Sequence, residues 1–355
     1  MKLVRYRDLQ MTCRCIQNVA WIRFVAPLCF ALLAQPLPAE AGIWLTRAQI
    51  DQLPTQGPAW DALARRAREP VTSLSLADQD NPDNVTVLAM ALYATRTGDE
   101  GMKRQVRDFC RRIQGTERRA RALAVGRELI AYVLAADIVG LDAEDDLTFR
   151  LWLTQIQNRE FSGRTLRSTH EDRPNNWGTH AGATRLGIAL YLDDQDEVKR
   201  SANVFRGWLG EADAWRGFEF GATWWQPAGF RNYGINPAGA VRGGFSIDGV
   251  LPDDQRRGGR FRWPPPRENY VYEALQGAVT QALLLEKQGY DVWNWGDQAL
   301  LRAFRWLHEQ ADFPAVGDDT WMPHVINRVY ATRFPAAPAA TPGKGMGYTD
   351  WTEGY

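Results

Sequence analysis

The chain has 355 residues, 45% of them hydrophobic and 24% charged, with 42 basic residues balanced by 42 acidic ones. That balance argues against nucleic acid as a partner, which calls for a basic domain or stripe. The length allows one large domain or two small ones, and no low-complexity linker divides it.

In chain order, a basic lead (Lys2, Arg5, Arg7, Arg14, Arg23) comes first. An apolar run from Phe24 to Leu33 follows, then Ala39-Glu40-Ala41 before Gly42. This is the pattern of a secretory signal peptide over residues 1–41, with a run too short for a bilayer. Met11 is a second candidate start, and Val25-Ala26-Pro27-Leu28-Cys29 is a poor lipobox. The expectation is a soluble periplasmic or secreted protein with no membrane span after cleavage. Cleavage would remove Cys13, Cys15 and Cys29, leaving Cys110 alone and no internal disulfide. It would also remove five of the 42 basic and two of the 42 acidic residues, for a net charge of −3. A polyanionic ligand would then have to be drawn in by local arginine clusters.

Residues 42–355 read as a single domain with helical periodicity almost throughout. Helices are expected over 85–96, 101–113, 121–139, 147–157, 175–192, 195–209, 270–289 and 297–310. Such pairs joined by short turns, with hardly any alternating strand pattern, imply an all-α fold, an α/α toroid of helical hairpins. Between the pairs lies an irregular stretch, 217–267, rich in Gly, Pro, Arg and Trp. A loop region this long inside a domain is more often functional than idle, and it is expected to cap the toroid's open end. Fourteen of the fifteen tryptophans lie after the signal sequence. Trp224, Trp225, Trp293, Trp295, Trp321 and Trp351 sit among Gly, Pro, Asn and Asp, where loops are expected. Exposed indoles there can stack on sugar rings, although core packing explains any single one equally well.

Two stretches carry candidate chemistry. In the first, Arg173-Pro174-Asn175-Asn176-Trp177-Gly178-Thr179-His180, Pro174 suits the first helical position and Asp172 a cap. Asn176 and His180 are four apart and share a face. An amide beside an imidazole can hold a carboxylate and move a proton next to it. In the second, Leu251-Pro252 leads into Arg256, Arg257, Arg260, Arg262 and Arg267, followed by Tyr270 and Tyr272. Guanidinium presents a planar fork to carboxylates, so this cluster suits an acidic polymer.

With these two blocks the chain resembles the alginate-lyase-like polysaccharide lyases, which have an α/α toroid fold. The resemblance runs from about Arg121 to Tyr355 and includes Tyr290-Asp291-Val292-Trp293-Asn294-Trp295 and Thr341-Pro342-Gly343-Lys344. It implies that Asn176 neutralises a uronate carboxylate, that Arg257 is the arginine of the Arg-Gly block, and that Tyr270 transfers a proton. The family's Asn-Asn-His carries Trp177 in place of the histidine, and the nearest imidazole is His180.

A lyase of this kind takes the C5 proton of a uronate and expels the C4 oxygen. If both lie on one face, Tyr270 can do both jobs; if on opposite faces, His180 or His170 is the base and Tyr270 the acid. The candidate catalytic residues are therefore Tyr270, His180, Asn176 and Arg257. Asn175, Trp177, His170, Arg260, Trp224, Trp225 and Tyr272 are candidate substrate contacts. His308 reads as structural and His324 stays open. No His/Cys/Asp cluster has metal-ligand spacing, so neither metal nor other cofactor is expected. The expected reaction is β-elimination on a polyuronate (alginate, polymannuronate or a glucuronan-like chain), an acidic polysaccharide. Two alternatives remain. One is a glycoside hydrolase using Asp318-Asp319 or Glu171-Asp172. The other is a non-catalytic periplasmic binding protein.

Overall fold

In the computed structural model the described residues are 42–229, 232–336 and 342–354, and they fall within one compact unit. The signal-peptide reading, with Cys13, Cys15 and Cys29, lies outside the described residues. The helices run α1 (Arg47–Gln52), α2 (Pro58–Arg66), α3 (Asp83–Thr97), α4 (Glu100–Arg112), α5 (Ala122–Val139), α6 (Ala143–Asn158), α7 (Leu166–Asp172), α8 (Asn176–Tyr191) and α9 (Gln195–Trp208). A long irregular stretch then carries an antiparallel hairpin, β1 (Val241–Arg242) and β2 (Phe245–Ser246). After it come α10 (Pro252–Gln255), α11 (Tyr270–Lys287), α12 (Trp295–Arg305), α13 (Met322–Tyr330) and α14 (Thr349–Thr352).

Burial sorts these helices into two layers. Helices α3, α5, α8 and α11 bury nearly every residue they contain. A helix apolar on all sides must be covered on all sides, so these four form the inner row, packed in the order α3–α5–α8–α11. Helices α4 and α9 bury one face and lie outside that row, α4 on α3 and α5, α9 on α8 and α11. The last elements return to the first. Helix α14 packs on α2, the Trp351 Nε1–H donates to the Pro54 carbonyl (2.9 Å), and the Tyr348 hydroxyl donates to that of Val85 (2.6 Å). The described residues are all-α apart from the hairpin and one isolated bridge, Phe161–Arg164. Among the described residues no helix is long and apolar enough to cross a membrane.

Several local expectations need correction. The cap of α8 is Asn175, whose side chain accepts the Trp177 N–H, whereas Asp172 ends α7 and Pro174 precedes the cap. Helix α12 stops at Arg305, and the residues that follow, Trp306–Gln310, form a wider π-turn. The indoles expected in loops are mostly core. Trp225, Trp321 and Trp351 are buried, and Trp293 nearly so. Two of them satisfy the indole N–H on a backbone carbonyl, Trp225 on Gly259 and Trp351 on Pro54, which lets an amphipathic ring sink completely.

Glycines set how tightly the inner row closes. A Cβ on Gly126 of α5 would stand 2.9 Å from the Ala181 nitrogen of α8. One on Gly277 of α11 would stand 2.5 Å from the Thr179 carbonyl carbon on α8's other side. Both obstacles are backbone, so α8 would have to move. Gly277→Ala is therefore expected to destabilise the fold by about 1–3 kcal/mol, read from urea unfolding. Wild-type stability in this variant would contradict the packing described.

Candidate active site

Helix α8 is positioned by its neighbours on both sides, and its first turn is clamped by α10. The Asn175 Nδ2 donates to Asp253 Oδ2 (2.8 Å), and the Asn176 N–H donates to Asp254 Oδ1 (3.1 Å). Asp253 also accepts from the Gly221 N–H (2.7 Å) and from Arg256 Nε (2.9 Å). The two blocks that stand out in the sequence thus meet directly. Acidic side chains at a helix N-terminus are favourable because they face its unpaired N–H groups. Burial pushes the Asp254 carboxyl well above the usual range, and its Oδ2 has no hydrogen-bond partner.

On one face of α8, Asn176 and His180 present polar atoms that the fold leaves unsatisfied. Asn176 is fully buried, yet neither its Nδ2 nor its Oδ1 has a partner. Leaving such groups unpaired costs about 1–3 kcal/mol each, so they are a marker of a site. The His180 ring is buried as well, and its Nε2 has no partner. Burial, and then the charges of Arg127 and Lys344, hold the imidazole well below its ordinary range, so it stays neutral.

A charged ring surrounds His180. Arg127 of α5 pairs with Glu273 of α11, and also faces Asp80 (3.6 Å). Lys344 Nζ lies 3.2 Å from Asp318 and 3.4 Å from Asp80, and the Lys344 N–H donates to Gln276 (2.7 Å). Beside this network is a polar cavity of about 130 Å³, lined by Arg66, Asp80, Asn84, Glu128, Asp318 and Lys344. It is smaller than a usual ligand pocket and suits part of a substrate. Burial pushes the Glu128 carboxyl well up, and its Oε2 is unpartnered. A larger cavity of about 460 Å³ touches Asp137 and Gly140 at the other end of α5, roughly 15 Å along that helix, and carries none of the candidate residues.

Tyr270 opens α11 one turn before Glu273, so one helix carries both the phenol and the partner of Arg127. Tyr270 is 39% exposed, and the Arg257 guanidinium lies 3.9 Å from its ring centroid. Arg260 is exposed over half-buried Trp224 at 5.7 Å, and Trp177 is half-buried in the first turn of α8.

Four candidate contacts sit elsewhere. Trp225 is buried under the loop region with no ring face free. Tyr272 is buried with its hydroxyl on the Phe313 carbonyl (2.7 Å); two residues along a helix is about 200°, so it points away from Tyr270. His170 is buried, with Nδ1 3.4 Å from Arg185, and belongs to the packing of α7 on α8. Asn175 uses its side chain as cap and clamp. The acids of the hydrolase alternative are also engaged. Glu171 pairs with Arg200 and Arg185, Asp172 with Arg164, and buried Asp319 accepts from Gln276. Arg127, Glu128 and Glu273 are not among the sequence candidates, and Lys344 enters there only within the Thr341–Lys344 segment; the signal for the first two is a charged pair inside an otherwise apolar helix. Among the described residues no group of three or more His, Cys, Asp or Glu is placed to hold a metal ion.

Removing Asp253 should release α8, Gly221 and Arg256 together. Asp253→Ala is expected to cost about 3 kcal/mol and to raise amide exchange at Gly221 and Asn176. Unchanged protection at both amides would mean that the clamp is not structural.

A family model described as Alginate lyase matches residues 83–214, from the first residue of α3 to beyond α9. The match includes Arg127, Asn176 and His180; it ends before Arg257 and Tyr270, so the second sequence block lies outside it. No curated protein matches the chain. Over residues 83–214, which carry three of the four inner helices and the Asn176–His180 face, the chain is similar to the alginate lyase family.

Proposed function

We propose that this chain cleaves a polyuronate, alginate-like or glucuronan-like, by β-elimination, with His180 as base and Tyr270 as acid. The observation that carries this reading is the pair of unsatisfied groups on α8, the Asn176 amide and His180 Nε2, beside the cations Arg127 and Lys344. The C5 proton of a uronate is poorly acidic until the adjacent carboxylate is neutralised. The Asn176 amide donates to that carboxylate and stabilises the enolate-like charge that develops on it. His180 Nε2 takes the C5 proton, the C4–O bond breaks, and the Tyr270 hydroxyl protonates the departing oxygen. A C4–C5 double bond remains on the new non-reducing end. Arg257, stacked on the Tyr270 ring, holds the phenol in position. Because Asn176 is covered in this conformation, entry of substrate requires the segments around Gly221 and α10 to lift from the start of α8. In this reading residues 1–41 export the chain to the periplasm or medium, where such polymers are met.

The single-residue tests follow the double bond by ultraviolet absorbance. Asn176→Ala is expected to lower kcat about 10²–10³-fold and Tyr270→Phe about 10²–10⁴-fold, with folding intact. His180→Gln separates the two routes. It should be as damaging as Tyr270→Phe if His180 is the base, and nearly silent if Tyr270 does both jobs.

The pH dependence has a definite sign. Burial and the two cations lower the imidazole's affinity for a proton, so Nε2 stays free to lower pH than in an ordinary histidine. The acid limb of kcat/KM should therefore fall below about pH 6.5. A limb at or above that value would contradict His180 as the base.

A further inference from the structure

The β1–β2 hairpin and the segment 260–263 take no part in the proposed reaction centre, yet they hold an exposed aromatic surface. Phe245 of β2 is 40% exposed and stacks on Trp263, with centroids 4.6 Å and planes 10° apart. Its cross-strand partner Arg242 lies over Phe261 at 5.8 Å, and Phe261 packs edge-on against buried Trp225. The stack is thus braced by the core. One face of Phe245 rests on Trp263, and its exposure leaves apolar ring surface open to solvent.

The charges beside it are of one sign. Arg260 and Arg262 alternate with Phe261 and Trp263 along the segment, and both are exposed. Among the described residues neither pairs with a carboxylate; Arg260 rests on Trp224, and Arg242 is committed to the Thr223 and Gln226 carbonyls. Trp263 is six residues from Arg257, the partner of Tyr270, so the chain places it within about 20 Å of that arginine. One extended polymer can reach both.

We propose that Phe245, Trp263, Arg260 and Arg262 form a second binding site, remote from the reaction centre, for a further stretch of an acidic polysaccharide. The apolar C–H face of a pyranose covers the Phe245 ring, and the guanidiniums take carboxylates of neighbouring sugars. The ligand class rests on the polyuronate reading above. The occupant is a carbohydrate chain because a flat braced ring flanked by unpaired guanidiniums offers no groove for a helix and no free strand edge of useful length.

The test is retardation in native gels containing polymannuronate or neutral dextran, using the chain with Tyr270→Phe to prevent cleavage. Adding Phe245→Ala should weaken polymannuronate binding about three- to tenfold, and Phe245→Trp should restore it. Arg262→Gln should also weaken binding and reduce its dependence on salt. All these positions are exposed or at a hairpin, so matching unfolding midpoints show that folding is preserved. Should Phe245→Ala fail to fold, Arg260→Gln and Arg262→Gln carry the test alone. Equal retardation of all variants, or equal retardation by dextran, overturns the proposal. The two readings fail separately. Phe245-dependent binding by a wild-type chain that forms no unsaturated product sinks elimination and keeps this site. Unsaturated product with Phe245-independent binding sinks only this site.

Discussion

The site depends on how closely α8 is held between α5 and α11. Gly126 and Gly277 let two helices approach it from opposite sides until backbone meets backbone. In so dense a row, a polar side chain is paired by a neighbour, cut off from water, or kept for a ligand. Thr184 is paired, its hydroxyl donating to the Gly126 carbonyl across the helix boundary (2.8 Å). The Asn176 amide and His180 Nε2 are left over. The same packing that stabilises the inner row therefore creates unsatisfied donors and acceptors at its polar end.

Electrostatics at that end follow from burial. Arg127 is nearly buried and is balanced by Glu273 and Asp80; Lys344 is balanced by Asp80 and Asp318. Buried charges persist only when paired, and these pairs are shared, so one network spans α5, α11 and the residues before α3 and after α13. Its effect on His180 is to keep the ring neutral, which is the state a base needs. In the proposed reaction, a uronate carboxylate would partly compensate the same cations. Burial also pushes the carboxyls of Glu128 and Asp254 well above the usual range.

Much of this was legible in the sequence, for identifiable reasons. The long helices α3, α4, α5, α8, α9 and α11 announce themselves by periodicity, and the Asn-Asn and Arg-rich blocks by composition. Short helices such as α1 and α7 are specified by capping boxes at Thr46 and Thr165, signals too local to weigh without tertiary contacts. The tryptophans misled because neighbours such as Gly and Asp describe backbone, whereas burial is decided by the ring and by a carbonyl for its N–H. His170 misled similarly: its acidic neighbours are turned to Arg200 and Arg164, and its ring faces Arg185. The sequence spacing of Arg127, Glu273 and Lys344 could not show that they converge, because only the packing of α5 and α11 around α8 brings them together.

The most direct measurement is ultraviolet absorbance of the wild-type chain mixed with mannuronan, guluronan, glucuronan and a neutral glucan, with reducing ends counted in parallel. Absorbance, from a C4–C5 double bond conjugated to a carboxylate, is expected with at least one uronate polymer and none with the glucan. New reducing ends without absorbance would show hydrolysis, and would contradict elimination at the Asn176–His180 face.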